Sequence, residues 1–131
     1  MSGRITNPVD TLARAKYVLL ETRKRDGTWV GTPVSIVGEG GRLFFRAYDR
    51  SGKAKRLRNF PEVRVTPSNY RGRPRGDTAT GTARLLGDAE SQPVRSLLAA
   101  KYPVLQGRLV PAMHRWKGWT TLHYELTLDP R

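Results

Sequence analysis

Short runs of β-forming residues, each closed by a turn signal, constrain the fold of this chain more than any other feature. The last run is the clearest, because Leu122, Tyr124 and Leu126 alternate with His123 and Glu125, as in a strand with one apolar face. Turns with glycine or proline separate the runs, and the spacing of parallel βαβ units is missing. We therefore predict strands at residues 17–23, 29–37, 43–48, 63–66, 78–86 and 121–128.

Helical signals are fewer. Asn7 can cap a short first helix. A second helix is predicted to open near Gly52 and to end by Phe60, because the residue before a proline is pushed out of the α region. One longer helix is predicted at 92–102, where apolar residues recur at helical spacing. Together these elements predict a mainly β (α+β) domain, a small antiparallel barrel with flanking helices that spans residues 1–131.

Composition limits the classes of protein to which this chain can belong. Its 131 residues are 37% apolar, enough for one globular domain with a core. It has no cysteine, so disulfides, thiolate metal sites and a cysteine nucleophile are excluded. No apolar run approaches the ~20 residues of a membrane-spanning helix, and the first residues lack the apolar core of a signal peptide. We expect a cytoplasmic protein.

Positive charge is concentrated in the middle of the chain. The whole sequence has 24 basic and 11 acidic residues, a net charge of +13. Between Arg42 and Arg75, eleven basic residues face only Asp49 and Glu62, a surplus of nine charges. An arginine-biased composition could account for any one of these residues, but the cluster favours an anionic partner.

The basic turn after the third strand predicts a phosphate site. Ser51-Gly52 turns the chain into the second helix, and Lys53, Lys55 and Arg56 fall in or near its first turn. Free N–H groups and the positive end of the helix dipole already attract anions there. Cations are locally unfavourable at that end, so their placement indicates that an anion binds. The alternative is a solvated helix face.

Two features of the first hairpin are informative. Asp26-Gly27 predicts a type I′ turn, in which both central residues have positive φ. Pro33 lies in the returning strand and cannot donate to a ladder, so it predicts a sheet edge or a bulge, where a ligand can meet the backbone. An edge strand without a ligand is the alternative.

Several common active sites are not supported. Gly52-Lys53 is followed by Ala54 where a P-loop has Ser or Thr, and no glycine-rich dinucleotide motif follows a strand. The two histidines, His114 and His123, do not stand at metal-ligand spacing with a carboxylate. No serine lies in a nucleophile elbow.

Five motifs follow one another in a fixed order: Thr22-Arg23-Lys24-Arg25-Asp26-Gly27, Thr32-Pro33-Val34, Leu43-Phe44-Phe45-Arg46, Ser51-Gly52-Lys53-x-Lys55-Arg56-Leu57-Arg58 and Gly81-Thr82-Ala83-Arg84. The series resembles the split β-barrel flavin-binding proteins of the pyridoxamine 5′-phosphate oxidase family. It is most similar to the actinobacterial branch that uses the deazaflavin coenzyme F420. The resemblance covers about residues 10–128, and the segment 115–119 around Trp116 is similar to one subgroup of that branch.

The resemblance implies a homodimer with a cofactor in a groove at the subunit interface. Its phosphate would lie against the basic turn, and its ring along the strand that contains Pro33. Trp116 of the partner subunit would cover the ring. The cofactor-binding residues implied are Thr32, Pro33, Val34, Arg46, Ser51, Gly52, Lys53, Lys55, Arg56 and Trp116.

The expected activity is that of an oxidoreductase. The cofactor would be coenzyme F420, with FMN as the alternative, and hydride would pass to or from a small organic substrate. That chemistry belongs to the cofactor, so the absence of an evident acid–base pair agrees with an enzyme. A glutamate-tailed deazaflavin would also give Arg71, Arg73 and Arg75 anions to bind.

A nucleic-acid-binding barrel is the second hypothesis. Arg71-Gly72-Arg73-Pro74 matches the core of the AT-hook, an extended element that places arginines in a narrow minor groove. This motif lies between two predicted strands rather than in a tail, and aromatic residues do not interleave with the basic cluster. We therefore rank nucleic acid below a cofactor.

Overall fold

A computed structural model describes residues 7–103 and 120–130, and in these ranges six antiparallel strands close into a barrel. The strands are β1 (Tyr17–Arg23), β2 (Trp29–Glu39), β3 (Arg42–Tyr48), β4 (Glu62–Ser68), β5 (Ala79–Leu85) and β6 (Thr121–Leu128). Around the barrel the order is β1-β2-β3-β6-β5-β4, so β6 lies between β3 and β5. The predicted antiparallel barrel is thus confirmed.

Alternating residues of each strand fill the barrel. On β6 the predicted face is confirmed, since Tyr124 and Leu126 are buried in the core. The Tyr124 ring stacks on Phe45 of β3, with 5.0 Å between ring centroids. Apolar side chains from all six strands join this cluster, which supplies most of the hydrophobic stabilisation.

A short helix closes each end of the barrel. Helix α1 (Pro8–Arg14) is capped by the Asn7 side chain as predicted, and its Leu12 enters the barrel core. Helix α2 (Gly52–Asn59) lies at the opposite end, where β1 ends, and buries Leu57. Its observed bounds confirm the predicted stop before Phe60.

Helix α3 (Asp88–Lys101) begins one turn earlier than the predicted start at residue 92. The Glu90 carboxylate accepts a hydrogen bond from the Gly87 N–H at 3.1 Å and so satisfies the helix start. Pro93 is accommodated inside the helix. Val94 and Leu98 then pack on Val37 and Phe44, on the outer face of the barrel.

The predicted type I′ turn is wrong. Gly27 has a φ of +90°, but no described non-glycine residue has a positive φ, so Asp26 does not. The Asp26 carboxylate instead accepts the Thr28 N–H at 2.9 Å, and the Gly27 N–H bonds the Lys24 carbonyl. The side chain of Asp26 stabilises a longer loop between β1 and β2.

The barrel splits between β2 and β3 at the end covered by α2. The register of β2 with β3 runs only from the Ile36–Phe45 pair to the Glu39–Arg42 pair. Residues 29–35 of β2 pair with β1 alone, and residues 46–48 of β3 pair with β6. This split places an unpaired edge of β2 beside the start of α2.

Within the described ranges, no helix has the length and apolarity needed to span a membrane.

Candidate functional site

The start of α2 combines free N–H groups with positive charge. Ser51 caps the helix, since its hydroxyl accepts the Ala54 N–H at 3.2 Å and donates to the Tyr48 carbonyl at 2.8 Å. Gly52 and Lys53 follow, and their N–H groups have no acceptor inside the helix. The first turn contains no acidic residue. The Ser51 hydroxyl is therefore committed to the cap, while the next two N–H groups can receive an anion.

Lys53 is half-buried among other cations. Burial is the main cause that lowers the pKa of its ammonium group, and the Arg56 and Arg46 guanidinium groups lower that pKa further. Within the described ranges the Lys53 ammonium makes no hydrogen bond and no ion pair. A bound anion would remove this unfavourable electrostatic energy.

Arg56 links the barrel to the helix start. Its Nε donates to the Thr22 hydroxyl at 2.6 Å, and Thr22 is fully buried at the end of β1. Its guanidinium folds back towards Gly52, where a Cβ atom would lie 2.8 Å from Nη1. Any residue larger than glycine at position 52 would therefore force the Arg56 guanidinium to move. Thr22 thus fixes the guanidinium beside the two free N–H groups.

Arg46 lies on the outer face of β3, and its register partner is His123 of β6. His123 is 3% exposed, and burial together with the nearby Arg95 and Arg46 guanidinium groups lowers the pKa of its imidazole to about 4, burial being the main cause. The imidazole is therefore neutral near pH 7. The positive charge in this region belongs to Arg46, Lys53 and Arg56. Lys55, by contrast, is exposed on α2.

The three predicted ring-contact residues do not share one environment. Val34 is buried in the barrel core, and Thr32 points to the same side by the alternation of the strand. The Thr32 hydroxyl oxygen is buried without a partner in the part of the chain that the structure describes. Pro33 is exposed. Of these three residues, Pro33 presents its side chain to the outside.

The backbone of Pro33 also faces the split. Pro33 lies opposite Leu19 in the register, and it has no N–H to exchange with that residue. Hydrogen-bonded and non-hydrogen-bonded residue pairs alternate along an antiparallel ladder. The backbone N–H and carbonyl of Thr32 therefore bond β1, and the backbone carbonyl of Pro33 points away from β1. The Pro33 carbonyl and both polar groups of Gly31 consequently point at the edge that β3 leaves unpaired.

The arginine loop after β4 packs on this same region. Gly72 has a φ of +83°, and a Cβ there would lie 3.3 Å from Leu19 and 3.5 Å from Pro33. The Asn69 carboxamide oxygen accepts the N–H groups of Arg71 and Arg73, each at 2.9 Å. The loop is thus a compact turn beside Pro33, with its arginine side chains exposed.

The structure therefore brings together four of the ten residues implied by the resemblance. Arg46, Gly52, Lys53 and Arg56 gather at the split, and Trp116 lies outside the described residues. Sequence reasoning missed Thr22 and Asn69, which position the arginines. Thr22 does so through a contact with a residue 34 positions away, for which it carries no local signal. Asn69 bonds the N–H groups two and four residues later, which is the local turn role typical of asparagine.

Other parts of the described structure offer less for an anion. A cavity of about 550 Å³ lies at the α1 end and is lined by Asp77, Asp129, three threonines and apolar side chains. It contains none of the cations named above. The described residues hold no cluster of three potential metal ligands from His, Cys, Asp or Glu.

Comparison with known proteins identifies the fold. No protein-family model and no curated protein matches the sequence. Solved structures match at low identity. The Agrobacterium tumefaciens protein Atu2129, of unknown function, has a TM-score of 0.72 and 20% identity; the match covers 96% of this chain and 58% of that one. This chain thus spans less than two thirds of the length of Atu2129.

Two further matches carry functional names. A Listeria innocua protein named for pyridoxamine 5′-phosphate oxidase has a TM-score of 0.65 and 13% identity, and 95% of each chain is covered. HutZ, the heme storage protein of Vibrio cholerae, has a TM-score of 0.64 and 12% identity, with 93% of this chain and 87% of that one covered. At these identities the likeness establishes the fold, a split barrel like that of the pyridoxamine 5′-phosphate oxidases.

Proposed function

We propose that this protein is an oxidoreductase that binds coenzyme F420, or alternatively FMN, at the split of its barrel. One observation carries the proposal: Lys53, Arg56 and Arg46 converge at the start of α2, and Lys53 has no anionic partner in the described ranges. A phosphate group would accept hydrogen bonds from these side chains and from the free N–H groups of Gly52 and Lys53.

The unpaired edge of β2 would hold the ring of the cofactor. The Pro33 carbonyl and the polar groups of Gly31 supply backbone acceptors and a donor for the polar edge of a flavin-type ring. The exposed Pro33 side chain supplies an apolar surface beside them. The shape of the split thus orients a ring relative to a phosphate.

The arginine loop favours the deazaflavin over FMN. A Cβ at Gly72 would lie 3.5 Å from Pro33, so Arg71 and Arg73 extend from a compact turn next to the proposed ring position. A glutamate tail is linked to the ring through the phosphate, and the exposed arginines of this loop would add positive charge for its carboxylates, whereas FMN has no such groups. This preference is tested by comparing the two cofactors directly.

Catalysis would need little from side chains. The bound cofactor supplies hydride transfer to or from a small organic substrate. The protein would hold the phosphate, orient the ring and exclude water from the reacting face. We further propose that a second copy of the chain covers the split, as a homodimer, which light scattering would detect as a doubled mass.

A fluorescence titration with coenzyme F420 and, in parallel, FMN tests the proposal at low and at physiological salt. We expect saturable micromolar binding of one cofactor that persists in salt, because pocket-bound charges are partly shielded. Replacing both Lys53 and Lys55 with Ala should weaken binding at least about tenfold. The matched double variant Lys24→Ala, Arg25→Ala removes two exposed charges from the β1–β2 loop and should bind normally. Unchanged affinity in the Lys53, Lys55 variant would refute the phosphate assignment.

Nucleic acid is the second candidate, because Arg71, Arg73 and Arg75 are all exposed on one loop. The compact turn held by Asn69 disfavours the extended shape of an AT-hook. Binding to A·T-rich DNA that collapses steeply with salt, together with no cofactor binding, would favour this function.

Haem is a weaker candidate, since His123 is buried; His114 lies outside the described residues.

A further inference from the structure

A second cavity lies where β1 begins and β4 ends, separate from the start of α2. It measures about 390 Å³ and opens to solvent. Tyr17 and Ser68, which are register partners, form its base. Its lining is made of Lys16, Tyr17, Ser68, Asn69, Tyr70 and Arg75.

This cavity combines positive charge with aromatic surface. Lys16 and Arg75 are exposed, and neither forms a salt bridge with a carboxylate within the described ranges. Tyr70 is 64% exposed, which is unusual for a large aromatic side chain. Tyr17 supplies a second ring. The Arg71 guanidinium lies over one face of the Tyr70 ring, 5.6 Å from its centroid, and Arg71 Nε donates to the Tyr70 hydroxyl at 3.2 Å. The other face of Tyr70 and the Tyr17 ring suit stacking with a planar molecule, and two cations suit a carboxylate or a phosphate.

The backbone around the cavity is held in place. The Tyr102 hydroxyl donates to the Lys16 carbonyl. The Arg75 N–H bonds the Pro67 carbonyl at 2.6 Å, and Ser68 forms an isolated bridge with Pro74. Because the loop is tied at both ends, little conformational entropy remains to be lost when a ligand binds.

We infer that this cavity is a second binding site, for a planar aromatic molecule that carries a carboxylate or a phosphate. None of the residues that line this cavity belongs to the proposed phosphate site at the start of α2. Because a Cβ at Gly72 of the same loop would lie 3.5 Å from Pro33, a ligand there would lie near the proposed cofactor ring. The idea that this cavity holds the substrate of the enzyme therefore rests on the proposed function. The idea that it binds a planar anionic molecule does not.

Isothermal titration calorimetry of the full chain with three probes tests the site. We expect 2-naphthoate to bind with one-to-one stoichiometry. The neutral 2-naphthamide has the same rings without charge, and cyclohexanecarboxylate has the charge without an aromatic ring. Both should bind at least about tenfold more weakly than 2-naphthoate. Equal binding of the three probes, or no saturable binding of 2-naphthoate, would overturn the inference.

Variants locate the binding. Tyr70→Ala and Arg75→Ala should each reduce 2-naphthoate affinity at least about tenfold, whereas Arg58→Ala, which removes an exposed arginine from α2, should not. Both altered side chains are exposed, so the fold should survive, and circular dichroism checks this. Unchanged affinity in the two variants would overturn the assignment.

The Lys53→Ala, Lys55→Ala variant separates this site from the cofactor site. Retained 2-naphthoate binding in that variant supports a distinct site even if no cofactor binds. Loss of 2-naphthoate binding there would mean that the probe occupies the start of α2 and would overturn the inference. A single-stranded oligonucleotide that displaces 2-naphthoate with a steep salt dependence would overturn it in favour of nucleic acid.

Discussion

Two half-buried lysines on opposite sides of the molecule show how differently one residue type can be used. At the end of α3, the Lys101 ammonium donates to the carbonyls of Ala13, Ala15 and Ile36 at 2.6–2.9 Å. At the start of α2, Lys53 has two arginines nearby and no acceptor in the described ranges. Burial lowers the pKa of both lysines. For Lys101, however, three carbonyl oxygens act against that effect by favouring the charged form.

The difference separates stability from binding. Lys101 joins α1, β2 and α3, and all three donor positions of its ammonium group are used. Lys53 contributes an uncompensated charge, which the folded state keeps at a cost in free energy. Such a cost at a helix start beside an open sheet edge is expected where a ligand completes the site.

The largest effect expected is the loss of stability in Lys101→Met. The substitution keeps the apolar stem but removes the ammonium donor of three carbonyls, of which that of Ile36 retains the Tyr102 hydroxyl at 2.9 Å. We therefore expect the free energy of unfolding to fall by about 3–5 kcal/mol. Urea denaturation measures this change. Lys55→Met, at an exposed position, is the control and should change stability little. Equal stability of the two variants would show that the hydrogen bonds of Lys101 do not stabilise the fold.

Next in size is an acid sensitivity that originates at His123, between the two regions. Its pKa is lowered from 6.5 to about 4 in the folded state. The stability linked to this depressed pKa is fully present above pH 6.5 and is lost as pH falls towards about 4. The loss is up to about 3 kcal/mol. In His123→Gln, unfolding free energies measured from pH 7 to 4 should fall less steeply. The same slope in both proteins would show that His123 is not the source.

Lys53→Met should separate binding from stability. We expect cofactor affinity to fall about 10- to 100-fold, because one charge-assisted hydrogen bond is lost. Stability should stay constant or rise by up to about 1 kcal/mol, since an uncompensated buried charge is removed. Parallel fluorescence titration and urea denaturation give both values. A large loss of stability would mean that Lys53 acts as Lys101 does.

The smallest effect concerns the arginine loop. Gly72 and Gly40 both have positive φ, but a Cβ would contact neighbours only at Gly72. Each alanine variant should lose about 1 kcal/mol of stability from backbone strain. Gly72→Ala should in addition shift the loop away from Pro33 and weaken 2-naphthoate binding. Identical binding by the two variants would argue that the loop position does not matter.

Local patterns predicted most of the fold. The alternation in β6, the Asn7 cap and the proline after Phe60 are signals within a few residues, and each is confirmed. The errors occurred where a side-chain hydrogen bond stabilised a backbone conformation that the local pattern did not predict. Asp26 bonds the backbone of its own loop, and Glu90 accepts the Gly87 N–H at the start of α3, four residues before the predicted start.

The candidate site was less accessible from the sequence. The basic residues at the start of α2 were evident because they are neighbours in the chain. Thr22 under Arg56 and Gly72 on Pro33 are contacts between distant segments, and the pairing register that brings them together has no local signal. Likewise, nothing in the sequence distinguishes Lys101 from the other lysines.

The ammonium pKa of Lys53 is the most direct test of whether an anion binds at the start of α2. It can be followed by NMR of labelled lysine side chains while coenzyme F420 is titrated into the protein, with Lys101 as the internal reference. We expect the Lys53 pKa to lie below the ordinary 10.5 in the free protein and to rise when the cofactor binds, whereas the Lys101 pKa should stay constant. Cofactor binding that leaves the Lys53 pKa unchanged would rule out the proposed phosphate site, because no anion would then have reached the start of α2.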